Sequence, residues 1–284
     1  MTAKLLSGIE VADAVIADVS RRVESLKQRG ITPGLGTILV GDDGPSASYV
    51  RKKHEACSAA GMHSFHTELP ASATQQEFLA AVDDFNANPE VDGYIIQYPV
   101  PRGLDFNEAL MRMDPAKDAD GLHPVNLGKL VLQEPGPVPC TPAGIQAILV
   151  HYGIDVAGKE VVIIGRGPTL GRPLSLLLAS KQAGANAAVT VVHSGISDLG
   201  FFTRRADIVI SAAGVAGIVT PDMIRPGAVV ISGGISWEGK KLLPDVDESV
   251  GEVAGWITPR LGGVGPTTVA MLLRNTVIAA ENRK

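Results

Sequence analysis

The segment 161–173, VVIIGRGPTLGRP, constrains the fold of this chain more than any other stretch. Its β-branched run predicts a buried strand, the glycines at 165 and 167 predict a tight turn, and a helix is predicted to open near Gly171. Such a unit directs free backbone N–H groups and the positive helix end at one point, which suits a phosphate. The spacing G-x-G-x-x-x-G is one residue longer than the usual dinucleotide fingerprint, so alone it leaves open a glycine turn that binds nothing.

Strands and helices alternate on both sides of this segment. Upstream, hydrophobic periodicity predicts strands over 35–40, 64–69 and 91–97, and helices over 7–28, 46–60, 74–86 and 106–113. Downstream, it predicts strands over 188–192, 207–211 and 228–232, and helices from Thr141-Pro142 (N-cap and N1), over 171–184, 198–205 and 267–281. This alternation is typical of parallel sheets covered by helices.

The proline- and glycine-rich stretch 133–139, QEPGPVP, separates two such runs. We therefore predict an α/β protein of two α/β domains, residues 1–138 and 139–265, which suits a chain of 284 residues. The second domain is predicted to be a Rossmann-like doubly wound parallel sheet. The last helix, 266–284, follows the second domain but is expected to pack back on the first.

Composition excludes several classes of protein. A formal net charge of −5 without basic runs argues against nucleic-acid binding. The chain has no signal-peptide pattern and no apolar run long enough for a membrane span, so a cytoplasmic protein is expected. Its two cysteines, Cys57 and Cys140, are expected to be buried thiols, and its histidines lack metal-site spacing, so no metal is predicted.

The strand 188–192 bears on the choice of dinucleotide. NAD sites typically carry a carboxylate at the end of this strand, but here it ends at His193-Ser194. Arg166 lies inside the glycine turn and Arg172 lies close behind it, and guanidinium groups make paired bonds to phosphate. The pattern favours NADP over NAD; the alternative is that Arg166 merely faces solvent.

The predicted helix 46–60 carries a candidate catalytic pair. Tyr49 and Lys53 are four residues apart and therefore share a face. Y-x-x-x-K is also the signature of short-chain dehydrogenases, but there it lies downstream of the glycine turn in one domain, whereas here it lies far upstream in another. A lysine on a mostly uncharged face suits acid/base chemistry; the alternative is an ordinary surface lysine.

Other candidate site residues lie at a strand end and in two loops. Gln97 ends a predicted buried strand, where ligand sites of open α/β sheets cluster, and is either a partner of Lys53 or of a ligand, or a satisfied amide. Asp118 and Asp120 lie on a loop, where a carboxylate either pairs with a ring NH and amino group or is solvated. The glycine-rich stretch 262–266 either approaches a flat ligand or forms a simple turn.

Together these residues resemble one family. The matching motifs follow one another along nearly the whole chain: Tyr49-Val50-x-x-Lys53, Asp92-Gly93-x-x-x-Gln97-x-Pro99-x-Pro101, Lys117-Asp118-x-Asp120-Gly121, Pro139-Cys140-Thr141-Pro142, Gly165-Arg166 with Gly171-Arg172-Pro173, and Gly262-Gly263-Val264-Gly265-Pro266. In this set the chain is similar to the bifunctional methylenetetrahydrofolate dehydrogenase/methenyltetrahydrofolate cyclohydrolases of one-carbon metabolism.

The resemblance implies an activity and an assembly. The implied reactions are the oxidation of 5,10-methylenetetrahydrofolate by NADP⁺ and the hydrolysis of the methenyl product to 10-formyltetrahydrofolate. The implied fold has a cleft between two α/β domains and forms a homodimer through the cofactor domain. The implied small-molecule partners are tetrahydrofolate derivatives, with no nucleic acid and no membrane.

The resemblance also implies roles for individual residues. In catalysis, Lys53 serves the cyclohydrolase step, Gln97 holds its amine, Tyr49 stacks on the folate ring and Asp120 grips the pterin edge. Substrate is further contacted along a loop formed by Gly262, Gly263, Val264, Gly265 and Pro266. The cofactor is contacted by Gly165, Arg166, Gly167, Ser194 and Ile235.

The chain departs from the family pattern near the cofactor. Gly167 stands where many relatives carry serine, Ser232 replaces a commonly acidic residue, and Leu261 replaces a usual proline. We therefore expect altered NADP affinity rather than altered chemistry. Two alternatives stay open at this point: a monofunctional or NAD-dependent dehydrogenase, and a nucleotide-binding regulatory protein without turnover.

Overall fold

The computed structural model describes residues 3–41, 44–239 and 241–283, and for residues 44–49 it describes the backbone only. Contacts divide the chain into two units. The six-stranded unit contains residues 3–12 and Pro139–Thr268, and the three-stranded unit contains Asp13–Val138 and residues 269–283. Residues 3–12, expected in the first domain, thus group with the second, because their strand pairs with the strand Trp256–Ile257.

Strands and helices alternate as the hydrophobic periodicity predicts. The strands are β1 Lys4–Leu5, β2 Gly34–Val40, β3 His63–Leu69, β4 Gly93–Ile96, β5 Glu160–Ile164, β6 Ala188–Val192, β7 Ile208–Ser211, β8 Val229–Ser232, β9 Ile235–Glu238, β10 Lys241–Pro244 and β11 Trp256–Ile257. The helices are α1 Gly8–Gln28, α2 Gly44–Ala59, α3 Gln75–Ala87, α4 Phe106–Arg112, α5 Pro124–Leu132, α6 Cys140–His151, α7 Gly171–Ala179, α8 Gly200–Thr203 and α9 Val264–Glu281. Short 3₁₀ helices cover Pro115–Lys117, Pro221–Met223 and Glu248–Glu252.

The six-stranded unit is built on a parallel sheet with the strand order β1-β11-β8-β7-β5-β6. Both faces of its centre are covered: in β5, Val161 and Ile163 belong to one buried cluster, and Val162 and Ile164 belong to another. A strand buried on both faces reads as a continuous apolar run, as this one does. The predicted α/β class with a doubly wound parallel sheet is confirmed.

The strand order of this sheet indicates where a ligand crevice lies. The chain runs from β5 to its neighbour β6, then crosses back to β7 on the other side of β5 and continues outward to β8. At such a reversal, the connections leave the sheet toward opposite faces, and ligands of open α/β sheets bind outside the carboxyl ends of the two flanking strands. The ends of β5 and β7 are therefore the expected ligand position in this unit.

The three-stranded unit contains a parallel sheet with the order β3-β2-β4. The central strand β2 is buried throughout, and Phe78, Val82 and Phe85 of α3 pack in one cluster with Ile38 of β2. Helix α3 begins with the predicted capping box, in which Thr74 Oγ1 accepts from the N–H of Glu77 at 3.2 Å, and Glu77 Oε2 accepts from the N–H of Thr74 at 2.7 Å.

Several element ends differ from the sequence-based expectation. Helix α6 begins at Cys140 after Pro139 and has no side-chain cap, so the prediction of Thr141 as N-cap and Pro142 as N1 is wrong. Helix α7 ends at Ala179, short of residue 184, and α9 already begins at Val264. Helix α5 was not predicted. It begins with Pro124 after His123, whose Nδ1 accepts from the N–H of Val125 at 3.1 Å, and histidine is not among the usual capping residues.

Candidate active site and cofactor site

A lysine held by an amide lies at the carboxyl end of β4. Lys53, on α2, is buried, and its Nζ donates to Gln97 Oε1 at 3.0 Å. Gln97 directly follows β4, and its N–H extends the ladder to Ile38 O at 2.9 Å. The other end of the amide is also used, because Nε2 donates to Tyr98 O at 2.7 Å. The structure thus joins two of the sequence-predicted residues through a bond that spans 44 positions.

Tyr49 lies one turn before Lys53 on the same helix. Its side chain lies outside the described part of the structure, so its stacking role stays a prediction from the four-residue spacing.

The loop after α4 is organised by one buried carboxylate. Asp118 Oδ1 accepts from the N–H of Gly121 at 2.9 Å, and its Oδ2 accepts from the N–H of His123 at 2.7 Å and from Asn126 Nδ2 at 2.9 Å. The main role of Asp118 is therefore structural, because both of its carboxylate oxygens accept hydrogen bonds from its own loop and from α5 rather than from solvent or a ligand. Asp120, half-buried, lies on the turn that these bonds shape.

Lys117 anchors the same loop from its other side. Its Nζ donates to the carbonyl oxygens of Phe85, Asn86 and Asn88 at 3.0, 2.9 and 2.7 Å, at the carboxyl end of α3. A cation is favourable there because the last carbonyls of a helix lack partners. Burial lowers the pKa of Lys117, against the opposing effect of Asp114. Sequence reasoning missed this role, since nothing in the local sequence around Lys117 indicates which distant helix end its side chain contacts.

A histidine pair adjoins the candidate lysine. His54 Nδ1 bonds to Ser64 Oγ, and the His54 and His66 rings meet edge to face with centroids 5.1 Å apart. Burial, His66 and Lys53 together lower the pKa of His54, in that order of size. A neutral His54 adds no positive charge beside the lysine. The sequence carries no signal for this pair, because it joins a helix to an edge strand.

The glycine turn after β5 fits a phosphate. Gly165 has a φ of +121°, and a Cβ there would lie 2.2 Å from Ala212 O; a Cβ on Gly171 would lie 2.2 Å from Gly165 O. Both positions therefore need glycine. Helix α7 begins at Gly171 without a side-chain cap. The N–H of Arg172 donates to Gly167 O at 3.1 Å and Pro173 has no N–H, so this helix end favours an anion chiefly through its dipole.

The other predicted cofactor residues lie around this turn and along the same unit. Gly167 is half-buried, whereas Arg166, Arg172 and Ser194 are exposed, and Ile235 is 42% exposed at the start of β9. The turn after β6 is shaped by His193, whose Nδ1 accepts from the N–H of Gly195 at 3.0 Å. No carboxylate follows β6 directly, as the sequence indicated.

The stretch 262–266 belongs to the six-stranded unit, whereas Lys53, Gln97 and Asp120 belong to the three-stranded unit. Its first two glycines have local reasons: Gly262 has a φ of +77°, and a Cβ on Gly263 would lie 2.7 Å from Pro259 O. Val264, Gly265 and Pro266 form the first turn of α9 rather than a loop. The predicted folate contact of this stretch is an untested prediction.

The chain combines two features: a doubly wound sheet with a glycine turn where its strand order reverses, and a buried lysine bonded to an amide in the other unit. Together they define the class of nucleotide-binding α/β enzymes. Residues 139–284 match the family model of the tetrahydrofolate dehydrogenase/cyclohydrolase NAD(P)-binding domain, and residues 6–120 match that of the catalytic domain. The chain belongs to this family. It is a bifunctional enzyme that oxidises 5,10-methylenetetrahydrofolate with NADP and hydrolyses the methenyl product to 10-formyltetrahydrofolate.

Individual relatives match over the whole length. "Bifunctional protein FolD" of Syntrophotalea carbinolica is 77% identical over 100% of this chain and 98% of its own. The crystal structure of the bifunctional FolD methylenetetrahydrofolate dehydrogenase/cyclohydrolase from Campylobacter jejuni is 39% identical, covers 99% of this chain and 100% of its own, and has a TM-score of 0.94. The FolD of Trypanosoma brucei, crystallised with NADP cofactor and an inhibitor, is 38% identical over 99% of this chain and 98% of its own, with a TM-score of 0.93.

Within the described ranges, no helix combines the length and apolar character needed to cross a membrane. The same ranges contain no cluster of three or more histidine, cysteine or acidic side chains suited to a metal ion. Cys57 and Cys140 are buried, as predicted, and neither forms a disulfide within the described residues. Burial raises the pKa of the Cys57 thiol to about 11.

Proposed function

We propose that Lys53, held by Gln97, is the group that performs the hydrolytic step of this enzyme. The observation that carries the proposal is the 3.0 Å bond from the buried Lys53 Nζ to Gln97 Oε1 at the carboxyl end of β4. Ligand sites of parallel α/β sheets form at this end, and the bond to Gln97 fixes the position of an amine that can exchange a proton there.

The hydrolysis requires a base beside a cation. The methenyl group carries a positive charge, which disfavours a second positive charge nearby and so favours the neutral amine of Lys53. The neutral amine takes a proton from water as the water oxygen bonds to the methenyl carbon. The bond from that carbon to N5 then breaks, N5 takes up the proton that the new hydroxyl group gives up, and the 10-formyl product forms. Gln97 Oε1 accepts one N–H of the amine and thereby directs its lone pair.

The oxidation depends on positioning. NADP⁺ accepts a hydride when it is bound, and transfer requires the two carbons to approach within about 3–3.5 Å. We propose that Tyr49 stacks on the folate ring, that Asp120 pairs with the pterin NH and amino groups, and that the stretch 262–266 runs along the substrate. Asp118 and Lys117 support this proposal for Asp120 because they fix its loop.

We propose that the cofactor contacts come from the six-stranded unit and the catalytic ones from the three-stranded unit. Gly165, Arg166, Gly167, Ser194 and Ile235 are the proposed NADP contacts, and the glycine turn at the sheet reversal supports their assignment. A homodimer through the six-stranded unit and a cytoplasmic location complete the proposal. A single species with the sedimentation coefficient of a monomer would contradict the dimer, and recovery in a membrane or extracellular fraction would contradict the location.

The proposal for Lys53 is tested by substitution with a matched control. We expect Lys53→Met to abolish the hydrolysis of 5,10-methenyltetrahydrofolate while the protein stays folded, because methionine keeps the length of the side chain and removes the base. Lys52→Met is the control, since Lys52 is the exposed neighbour on the same helix. The measurement is the loss of methenyl absorbance, with circular dichroism as a check of folding. Wild-type hydrolysis by Lys53→Met would refute the assignment.

A further inference from the structure

A second buried carboxylate, Asp245, organises the carboxyl edge of the six-stranded sheet. Its side chain is fully buried, and it directly follows β10. Oδ2 accepts from Ser211 Oγ at 2.6 Å and from the N–H groups of Ala213 and Gly214 at 2.8 and 3.1 Å. Oδ1 accepts from the N–H of Val215 at 2.8 Å. Three successive backbone N–H groups thus converge on one carboxylate.

The segment held by these bonds, residues 212–215, leaves the end of β7. It lies against the glycine turn: the N–H of Ala212 donates to Ile164 O at 2.7 Å, and Ala212 O occupies the space where a Cβ on Gly165 would lie. Since β5 and β7 flank the reversal of the sheet, the turn 165–167 and the segment 212–215 form the two walls of the expected ligand crevice.

The same carboxylate packs against a third connection of this edge. A Cβ on Gly234 would lie 2.0 Å from Asp245 Oδ2, and the N–H of Asp245 donates to Gly234 O at 3.3 Å. Gly234 immediately precedes Ile235, one of the proposed cofactor contacts. Asp245 therefore touches both the connection after β7 and the connection after β8.

The bonding of Asp245 suits a carboxylate rather than an amide. Its four donors use both oxygens, and an amide in its place would turn an NH₂ group toward at least one N–H. In the part of the chain that the structure describes, no Lys or Arg forms an ion pair with it. Because three of the four donors are consecutive backbone N–H groups, the side chain fixes the path of residues 213–215.

We propose that Asp245 is a positioning residue of the cofactor site. By drawing the N–H groups of 213–215 inward, it fixes one wall of the crevice against the glycine turn before any cofactor binds. It acts through residues 212–215 and Ile235, and takes no part in the chemical step. The inference rests on the proposed function in placing NADP at this crevice.

The test compares Asp245→Asn with Asp247→Asn. Asp247 is the matched control, because it is the exposed aspartate of the same D-V-D segment and accepts from the N–H of Ser249 at 2.8 Å. We expect Asp245→Asn to raise both the Kd of NADP⁺, measured by titration calorimetry, and its KM about tenfold, the loss of a charged hydrogen bond. Hydrolysis of methenyltetrahydrofolate, whose proposed base Lys53 lies in the other unit, should keep the wild-type rate.

Hydrogen exchange of the cofactor-free protein supplies a readout that is independent of activity. The amides of 213–215 should exchange faster in Asp245→Asn than in wild type or Asp247→Asn. Ser211→Ala, which removes a single donor, should show the same changes to a smaller degree, so it tests the inference even if Asp245→Asn does not fold.

Unchanged NADP⁺ affinity in both Ser211→Ala and a folded Asp245→Asn would overturn the inference. So would a parallel loss of hydrolysis, which would mark a role in overall stability only. Wild-type protein that fails to bind NADP⁺ is a distinct result, because it contradicts the proposed function itself.

Discussion

Two glycines two residues apart in the turn after β5 have different physical reasons. Gly165 combines a φ of +121° with an approach of 2.2 Å to Ala212 O, so any Cβ there would clash with backbone. Gly167 has nothing within 4 Å of the Cβ position and no positive φ. Only Gly165 is required by the backbone, and Gly167 is therefore a site at which the chain has room for a side chain.

This difference predicts opposite effects of substitution. Gly167→Ser should fit without strain and add a hydroxyl that can donate to a phosphate, which should lower the Kd of NADP⁺ about threefold. Gly165→Ala should weaken NADP⁺ binding severely, because the new methyl group displaces the wall formed by residue 212. Titration calorimetry of the two variants against wild type checks both expectations. Weaker NADP⁺ binding by Gly167→Ser would contradict the expectation that a hydroxyl at position 167 donates to a phosphate of the cofactor.

At the scale of elements, the loop between α4 and α5 is the best-defined support of the candidate site. It is tied at two points, through Lys117 to the end of α3 and through Asp118 to its own turn and to Asn126 of α5. The half-buried Asp120 lies between these anchors. A loop fixed in this way can present a carboxylate at a defined place, which orientation in catalysis requires.

Asp118→Asn should therefore lower kcat/KM for the folate substrate about tenfold in both reactions, because both oxygens of Asp118 accept from donors and an amide NH₂ in place of either would face at least one of them. The Kd of NADP⁺ should not change. Asp114→Asn is the control, since Asp114 is exposed and caps the 3₁₀ helix of the same loop, accepting from the N–H of Ala116 at 2.9 Å. Equal kcat/KM values for the two variants would contradict the positioning role of Asp118.

At the scale of the whole molecule, two charged pairs attach the end of the chain to the three-stranded unit. Arg283 donates to both oxygens of the buried Asp92 at 2.8 and 2.7 Å, and Asp92 also accepts from the N–H of Gly34 at 2.8 Å. Arg22 of α1 pairs with Glu281 of α9, and this bond lowers the pKa of the Glu281 carboxyl. The carboxyl-terminal helix is thus connected to the sheet and to α1 in this unit.

Arg283→Met should reduce the free energy of unfolding by about 2 kcal/mol, because it leaves the buried Asp92 carboxylate without its cation. Arg274→Met serves as the control, since Arg274 is an exposed arginine of α9, the helix that precedes Arg283. Urea unfolding followed by circular dichroism measures both. A loss in Arg283→Met no larger than in Arg274→Met would show that the pair contributes little to stability.

The sequence by itself determined the local features of this protein. The apolar runs of β2, β5, β7 and β8 and the capping box of α3 depend on neighbours a few residues away, so periodicity and spacing predicted them. The glycine turn and the motifs of the resemblance were recognisable for the same reason.

Tertiary structure alone decided which polar groups meet. The bond between Lys53 and Gln97 spans 44 positions, and that between Ser211 and Asp245 spans 34, so neither leaves a pattern in the local sequence. The choice of Asp118 as the inward-facing carboxylate, and the pairing of β1 with β11 that places residues 3–12 in the six-stranded unit, also depend on distant contacts. A folded chain must satisfy its buried charges and strand edges with whatever groups the topology brings near, and those groups are known only once the chain is folded.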